Sequence, residues 1–380
     1  MFNHPDISRD ACMLHGPLRR CGYDWWWHSF TAQDAETGAD KAFFMEFFLC
    51  NPALAEDEPV LGQLPANQAA GKKPSYLMVK AGTWGPDACQ LHRFFPWKAV
   101  DLQAEAPYRV TAADCLACET ALRGSVSITP EEAAAHPEWM CDAGELSWDL
   151  TLDKQIAFNV GYGASWPLRD AEAFAMYWHA EGMKTAYAGE LTFNGRRYTV
   201  SPEKSFGYAD KNWGRDFTSP WVWLASSDLV SKKTGKRLEN SAFDIGGGRP
   251  KIYFLPLDRR LLGVLYYEGK EYDFNFSHLW LNVKTEFSFE EKEDLVHWTV
   301  RQENLHAVME TEIFCRKADM LLVNYEAPDG SKKHNRLWNG GTGWGTVRLY
   351  DKEDGKPVLI DELETAHVGC EYGEYDETTS

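Results

Sequence analysis

Much that would announce a function is missing from these 380 residues. No run of about 18 apolar residues occurs, so no membrane-spanning helix is expected. The opening residues Met1 to Asp6 lack a basic segment followed by an apolar one, and a soluble, unexported, cytoplasmic protein is the expectation. Basic charge is scarce. Thirty-nine Lys and Arg against 57 Asp and Glu leave −18, with no basic stripe, so nucleic acid is not an expected partner. Neither Gly-x-Ser-x-Gly nor His-Glu-x-x-His appears, which removes the usual basis for serine-hydrolase and zinc-protease chemistry. Cys115-Leu116-Ala117-Cys118 is a lone CxxC, and a zinc site needs three or four protein ligands. No metal is expected, and nine irregularly spaced cysteines read as free thiols of a reducing compartment. Gly341-Thr342-Gly343-Trp344-Gly345 runs into the strand-like Val347 to Tyr350, whereas a phosphate loop must open a helix. Gly246-Gly247-Gly248-Arg249-Pro250 reads as a turn into a strand.

What is present is aromatic. Sixteen Trp contribute to 14% aromatic content, beside 44% hydrophobic and 25% charged residues, which is the composition of a globular chain. So many indoles cannot all be fully buried, and they point to a large aromatic cavity. The length suits two domains.

Along the chain, short aromatic runs alternate with turn formers. Tyr23 to Phe30 and Ala42 to Leu49 read as two antiparallel strands, and residues 53–75 as a loop insertion. Strands resume at Tyr76 to Val79 and at Trp148 to Leu152, and Tyr162 to Pro167 breaks the pattern. Thr129-Pro130-Glu131-Glu132 predicts a short capped helix. Asn194-Gly195 predicts a two-residue hairpin turn between Gly189 and Val200, and the same grammar recurs at Glu268-Gly269 and Asp354-Gly355. Long amphipathic helices are absent. The fold class is therefore mostly antiparallel sheet, curled into barrels or sandwiches.

Candidate chemistry lies where acids and bases interrupt these runs. The densest case is Tyr208-Ala209-Asp210-Lys211-Asn212-Trp213-Gly214, continuing to Trp221-Val222-Trp223. Asp24, His28 and Glu46 interrupt the first two strands, and Tyr177-Trp178-His179 repeats the theme. Each of these groups either finds a partner in the core or faces a cavity.

The order of these motifs resembles that of the tocopherol cyclase family and its relatives, the carotenoid 1,2-hydratases and lipocalin-like Diels-Alderases. The run Asp24-Trp25-Trp26-Trp27 is followed by a strand ending in Asn51-Pro52, then Trp148-Asp149-Leu150, the Trp178 strand and the Gly189 to Val200 hairpin. The stretch Tyr208 to Gly214 with Trp221-Val222-Trp223 looks like the family signature, with Asp210 where the family carries glutamate; Gly246-Gly247-Gly248-Arg249 and Glu371-Tyr372-Gly373 follow in order. The first motif departs as well, since cyclases usually have Glu-Gly-Trp-Tyr there.

The resemblance implies an all-β protein of two lipocalin-like antiparallel barrels packed side by side, here residues 1–218 and 219–380. It implies a hydrophobic small-molecule partner and chemistry without metal or cofactor. The expected reaction is a cyclisation (isomerase), with a hydratase (hydro-lyase) or a non-catalytic binding protein as alternatives. Asp210 is the first candidate acid, with Asp24 and Glu371 behind it, and His179 or Tyr177 would relay the proton. Trp26, Trp213, Trp221 and Trp223 would offer π faces to a cation, while Trp27, His28, Glu46, Trp178, Tyr208, Lys211 and Asn212 complete the expected binding set. If Lys211 pairs with Asp210, that acid is structural.

Overall fold

Both aromatic runs become strands. Tyr23–Asp34 and Asp40–Cys50 pair antiparallel, with Tyr23 opposite Cys50 and Gln33 opposite Asp40. Such residues fit a pleated surface, and alternation sends their side chains to opposite faces. Our computed structural model describes residues 7–158, 167, 171–252, 255–257 and 260–374. The break expected at residues 162–166 lies outside them.

The strands from Tyr23–Asp34 to Gly207–Gly214 form one 12-stranded antiparallel sheet. It curls until Cys89–Phe95 approaches Ala121–Ile128, where Arg93 Nη1 donates to the Ser125 carbonyl at 3.0 Å. Among the described residues, the strands from Trp221–Ser226 to Lys356–Gly373 form a second sheet of 11 strands, apart from the small ribbon of Lys251–Ile252 with Leu255–Pro256. Three apolar cores result. One fills the first barrel around Trp26, Phe47 and Leu150, one fills the second around Trp298 and Val347, and a third lies between them around Trp27, Trp178, Trp223 and Tyr325. The fold is thus all-β, two lipocalin-like barrels side by side.

Local chemistry explains the turns and a capped helix. Asn194 and Gly195 take φ of 48° and 78°, as the hairpin requires. Pro130–Ala135 is a helix closed by a capping box, with Glu132 N donating to Thr129 Oγ1 at 3.1 Å and Thr129 N donating to Glu132 Oε2 at 2.8 Å. Among the described residues no helix is long and apolar enough to cross a membrane. All nine cysteines are free thiols.

The glycine run 246–248 differs from expectation: it lies inside the strand Ala242–Gly248, with Gly246 opposite Trp223. The reason is space. A β-carbon at Gly246 would stand 3.2 Å from the Trp178 indole, so the missing side chain lets the barrels meet through that ring. Gly341 similarly lies in the strand Lys332–Glu353, where a β-carbon would come within 2.2 Å of Trp84.

Candidate functional site

Alternation and barrel packing together build one aromatic pocket between the sheets. Trp25 and Trp27 project into it from the first strand, and Asp210 and Asn212 from the neighbouring strand Gly207–Gly214. Trp221, Trp223 and Glu371 close it from the second barrel, where Trp223 stands opposite Glu371 in the sheet register. Tyr325, Phe217, Met176 and Leu337 complete the lining. The free volume is only about 30 Å³, room for about one or two waters.

The two acids line the pocket from different barrels. Asp210 Oδ2 accepts from Trp178 Nε1 at 2.8 Å and from the Tyr208 hydroxyl at 3.2 Å, whereas its Oδ1 has no hydrogen-bond partner. Burial pushes the Asp210 carboxyl up to about 7, against the pull of the Trp178, Tyr208 and Trp25 donors and with the help of Glu371. Glu371 Oε2 accepts from Trp221 Nε1 at 2.7 Å, and Oε1 accepts from the Asn339 amide, whose own oxygen accepts from Trp84 Nε1 at 2.7 Å. Burial raises Glu371 to about 7 as well, opposed by those two donors. Both groups therefore exchange protons near neutrality, which suits a general acid and a general base.

This arrangement makes stability depend on pH. A carboxyl whose folded value lies above its unfolded one favours folding fully below the unfolded value, about 4. That contribution disappears as pH rises through the folded value, about 7 here. At Asp210 the difference is on the order of 4 kcal/mol, since each tenfold is worth about 1.4. Stability measured by urea unfolding is therefore expected to fall between about pH 4 and 8, and Asp210→Asn to flatten that slope. A wild-type profile that is flat or rises across the window would rule out the elevated carboxyls.

The other expected residues are dispersed. Lys211 pairs with Asp24 and not with Asp210; both are fully buried on the opposite face of the sheet, and Asp24 Oδ2 also accepts from Met13 N at 2.6 Å. Asp24 therefore does not line the pocket, because it is one residue out of phase with Trp25 and Trp27. Trp26 lies on that inner face too, with the Lys211 ammonium 4.5 Å from its ring centre and 5.3 Å from that of Trp213. Tyr177 stacks on Trp213, its ring centre 5.5 Å away. His28 Nδ1 is held by the Tyr187 hydroxyl at 2.9 Å inside the first barrel. His179 Nε2 meets Asp10 Oδ1 at 2.8 Å, and burial keeps its imidazole below the ordinary range. Neither His179 nor Tyr177 lines the pocket. Glu46 is ion-paired with Lys80 at 2.7 Å and accepts from the Tyr325 hydroxyl at 3.3 Å, so it sits one layer behind. Trp178 and Tyr208 likewise act from behind, by holding Asp210.

Deeper in the first barrel the carboxylates of Asp10, Glu119 and Glu181 converge within 4.8 Å, a ligand set that would suit a cation. The chain supplies one: the Lys154 ammonium reaches Asp10 at 3.3 Å, Glu119 at 2.6 Å and Glu181 more closely still.

Sequence reasoning missed Trp25, although period-two alternation places it with Trp27 and sets Trp26 apart. It also missed Asp244, the lone acid of an otherwise apolar strand, whose Oδ2 lies 3.0 Å from the Tyr208 hydroxyl. Asn339 and Tyr325 carried no signal, since their partners stand more than 250 residues away or on the other barrel.

Comparison with known proteins agrees with this architecture. The profile of the tocopherol cyclase-like family matches residues 172–374, which include Asp210, Trp221, Trp223 and Glu371. No curated protein matches the sequence significantly. The crystal structure of an AttH candidate from Nitrosomonas europaea is 12% identical over 98% of this chain and 96% of its own, with a TM-score of 0.51, and shares the fold. Kievitone hydratase from Nectria haematococca aligns at 11% identity over 97% of this chain and 95% of its own, with a TM-score of 0.45. CghA with Sch210972 aligns at 12% over 94% and 89%, with a TM-score of 0.47.

Proposed function

Because the chain belongs to the tocopherol cyclase-like family, we propose that it is an acid–base isomerase that cyclises a hydrophobic, unsaturated small molecule such as a prenylated phenol, polyphenol or isoprenoid. One observation carries this reading: two carboxyls from two barrels, both titrating near neutrality, face one aromatic pocket. Asp210 protonates an alkene carbon from Oδ1, the oxygen with no partner of its own. Trp178 and Tyr208 then hold the negative charge left on the carboxylate. The tertiary cation rests against the faces of Trp25, Trp27, Trp221 and Trp223, each worth about 2 kcal/mol once water is gone. An internal hydroxyl captures it, and Glu371 takes the hydroxyl proton. Since the free space is about 30 Å³, the substrate makes its seat by displacing indoles from one another.

That same small space favours a second reading, a hydratase in which the water it can hold captures the cation. Incubation of a candidate prenylated phenol in heavy-oxygen water separates the two. An unlabelled isomer supports cyclisation, and a product gaining labelled water supports hydration. A ligand recovered chemically unchanged from the protein, whatever the compound tried, sinks both and leaves a binding protein.

A further inference from the structure

A tyrosine hydroxyl carries one proton. Tyr208 nevertheless sits within hydrogen-bond distance of two carboxyl oxygens, Asp210 Oδ2 at 3.2 Å and Asp244 Oδ2 at 3.0 Å. An ionised carboxylate can only accept, and the hydroxyl can donate to just one of them. For both contacts to be hydrogen bonds, one of the carboxyls must be protonated and must donate to the Tyr208 oxygen. We infer that Asp244 is this proton-bearing carboxyl, a positioning residue whose O–H donates to Tyr208 and so commits the Tyr208 proton to Asp210.

The surroundings of the two acids fix the direction. Asp244 has no exposed surface, its Oδ1 has no partner, and no cation contacts it among the described residues. The groups that face it are Tyr208, the neighbouring Asp210 and the Trp223 indole, together with the backbone of Ile245. Burial first, and then the Asp210 charge, favour its neutral form, and they outweigh the opposing pull of Tyr208, the Trp223 indole and the Ile245 backbone. Asp210 has a second donor on the same oxygen, the Trp178 indole at 2.8 Å, and borders the pocket, so it is the better place for a negative charge. With Asp244 neutral, both donors converge on Asp210 Oδ2 and leave Oδ1 as the oxygen that bears the transferable proton. With Asp244 ionised, the Tyr208 proton would turn to it, and Asp210 would lose that donor.

This role rests on the reading of Asp210 as the acid, but its test needs no substrate. Infrared spectra of the protein with carbon-13-labelled aspartate reveal neutral carboxyls by a labelled C=O stretch. Above about pH 9 an ordinary aspartic acid, near 4, and Asp210, pushed up to about 7, are both ionised. The wild type is expected to keep such a band there, Asp244→Asn to lose it entirely, and Asp210→Asn to retain it. Asp244→Asn preserves shape and a donor to Tyr208, so the midpoint of Asp210 should stay near its wild-type position, whereas Tyr208→Phe should raise it. Absence of the band in folded wild-type protein, or its survival in Asp244→Asn, overturns the assignment. Should Asp210→Asn leave turnover intact while the band behaves as expected, the proton on Asp244 stands and the catalytic reading falls.

Discussion

Asp210→Asn is expected to lower turnover by roughly 10²–10⁴-fold, the usual contribution of a positioned acid or base, with little change in affinity for the hydrophobic ligand. The substitution is isosteric: its amide oxygen still accepts from Trp178 and Tyr208, which hold the present carboxylate at 2.8 and 3.2 Å. What disappears is the transferable proton. The loss should therefore fall on kcat and spare KM, because an interaction made only in the transition state has been removed. Glu371→Gln should also slow the reaction, with the other limb of the pH profile affected, since the base is the role proposed for Glu371. Intact turnover in Asp210→Asn with a collapse in Glu371→Gln would move the acid to the second barrel and overturn the assignment of roles.

Lys211→Met should act on stability instead. Lys211 and Asp24 form a fully buried ion pair on the inner face of the sheet, with the ammonium also over the Trp26 ring. Removing one partner of such a pair costs about 3–5 kcal/mol, because the other is left buried and uncompensated. At roughly 2–4 °C per kcal/mol for domains of this size, Tm should drop on the order of 10 °C. The sign of the pH dependence is a second check. Burial already pushes the Asp24 carboxyl up while Lys211 pulls it down. Without the lysine its folded value rises further, and the variant regains stability as pH falls. A loss below about 1 kcal/mol is what a solvent-screened pair would give, and would mean that the pair does not hold the barrel together.

These two residues are adjacent in the chain and have unrelated roles, which marks the limit of what a linear reading can resolve. The strands, their turns and the capped helix were legible because each depends on neighbours a few residues apart: Asn194-Gly195 for a hairpin, Thr129 with Glu132 for a capping box. The all-β class followed from the same local signals, and the two-barrel architecture from the order of family motifs. Within the site, Asp210, Glu371, Trp221 and Trp223 could be named in advance, each standing in a motif of that order.

Position within the motif could not assign side chains to faces. Asp24 and Asp210 look alike in sequence, an acid among indoles, yet one is neutralised by Lys211 inside a barrel and the other borders the pocket. Period-two alternation separates Trp25 and Trp27 from Trp26, but only the packed barrels reveal which face is the inner one. Trp84, Asn339 and Asp244 reach the site through contacts that join distant parts of the chain. The amino-acid sequence by itself determined the strands, the fold class and the stock of acids and indoles, because these follow from local backbone preference and composition. Tertiary structure alone decided which carboxyls are paired and which face the pocket, because a buried charge is governed by the groups that folding brings against it.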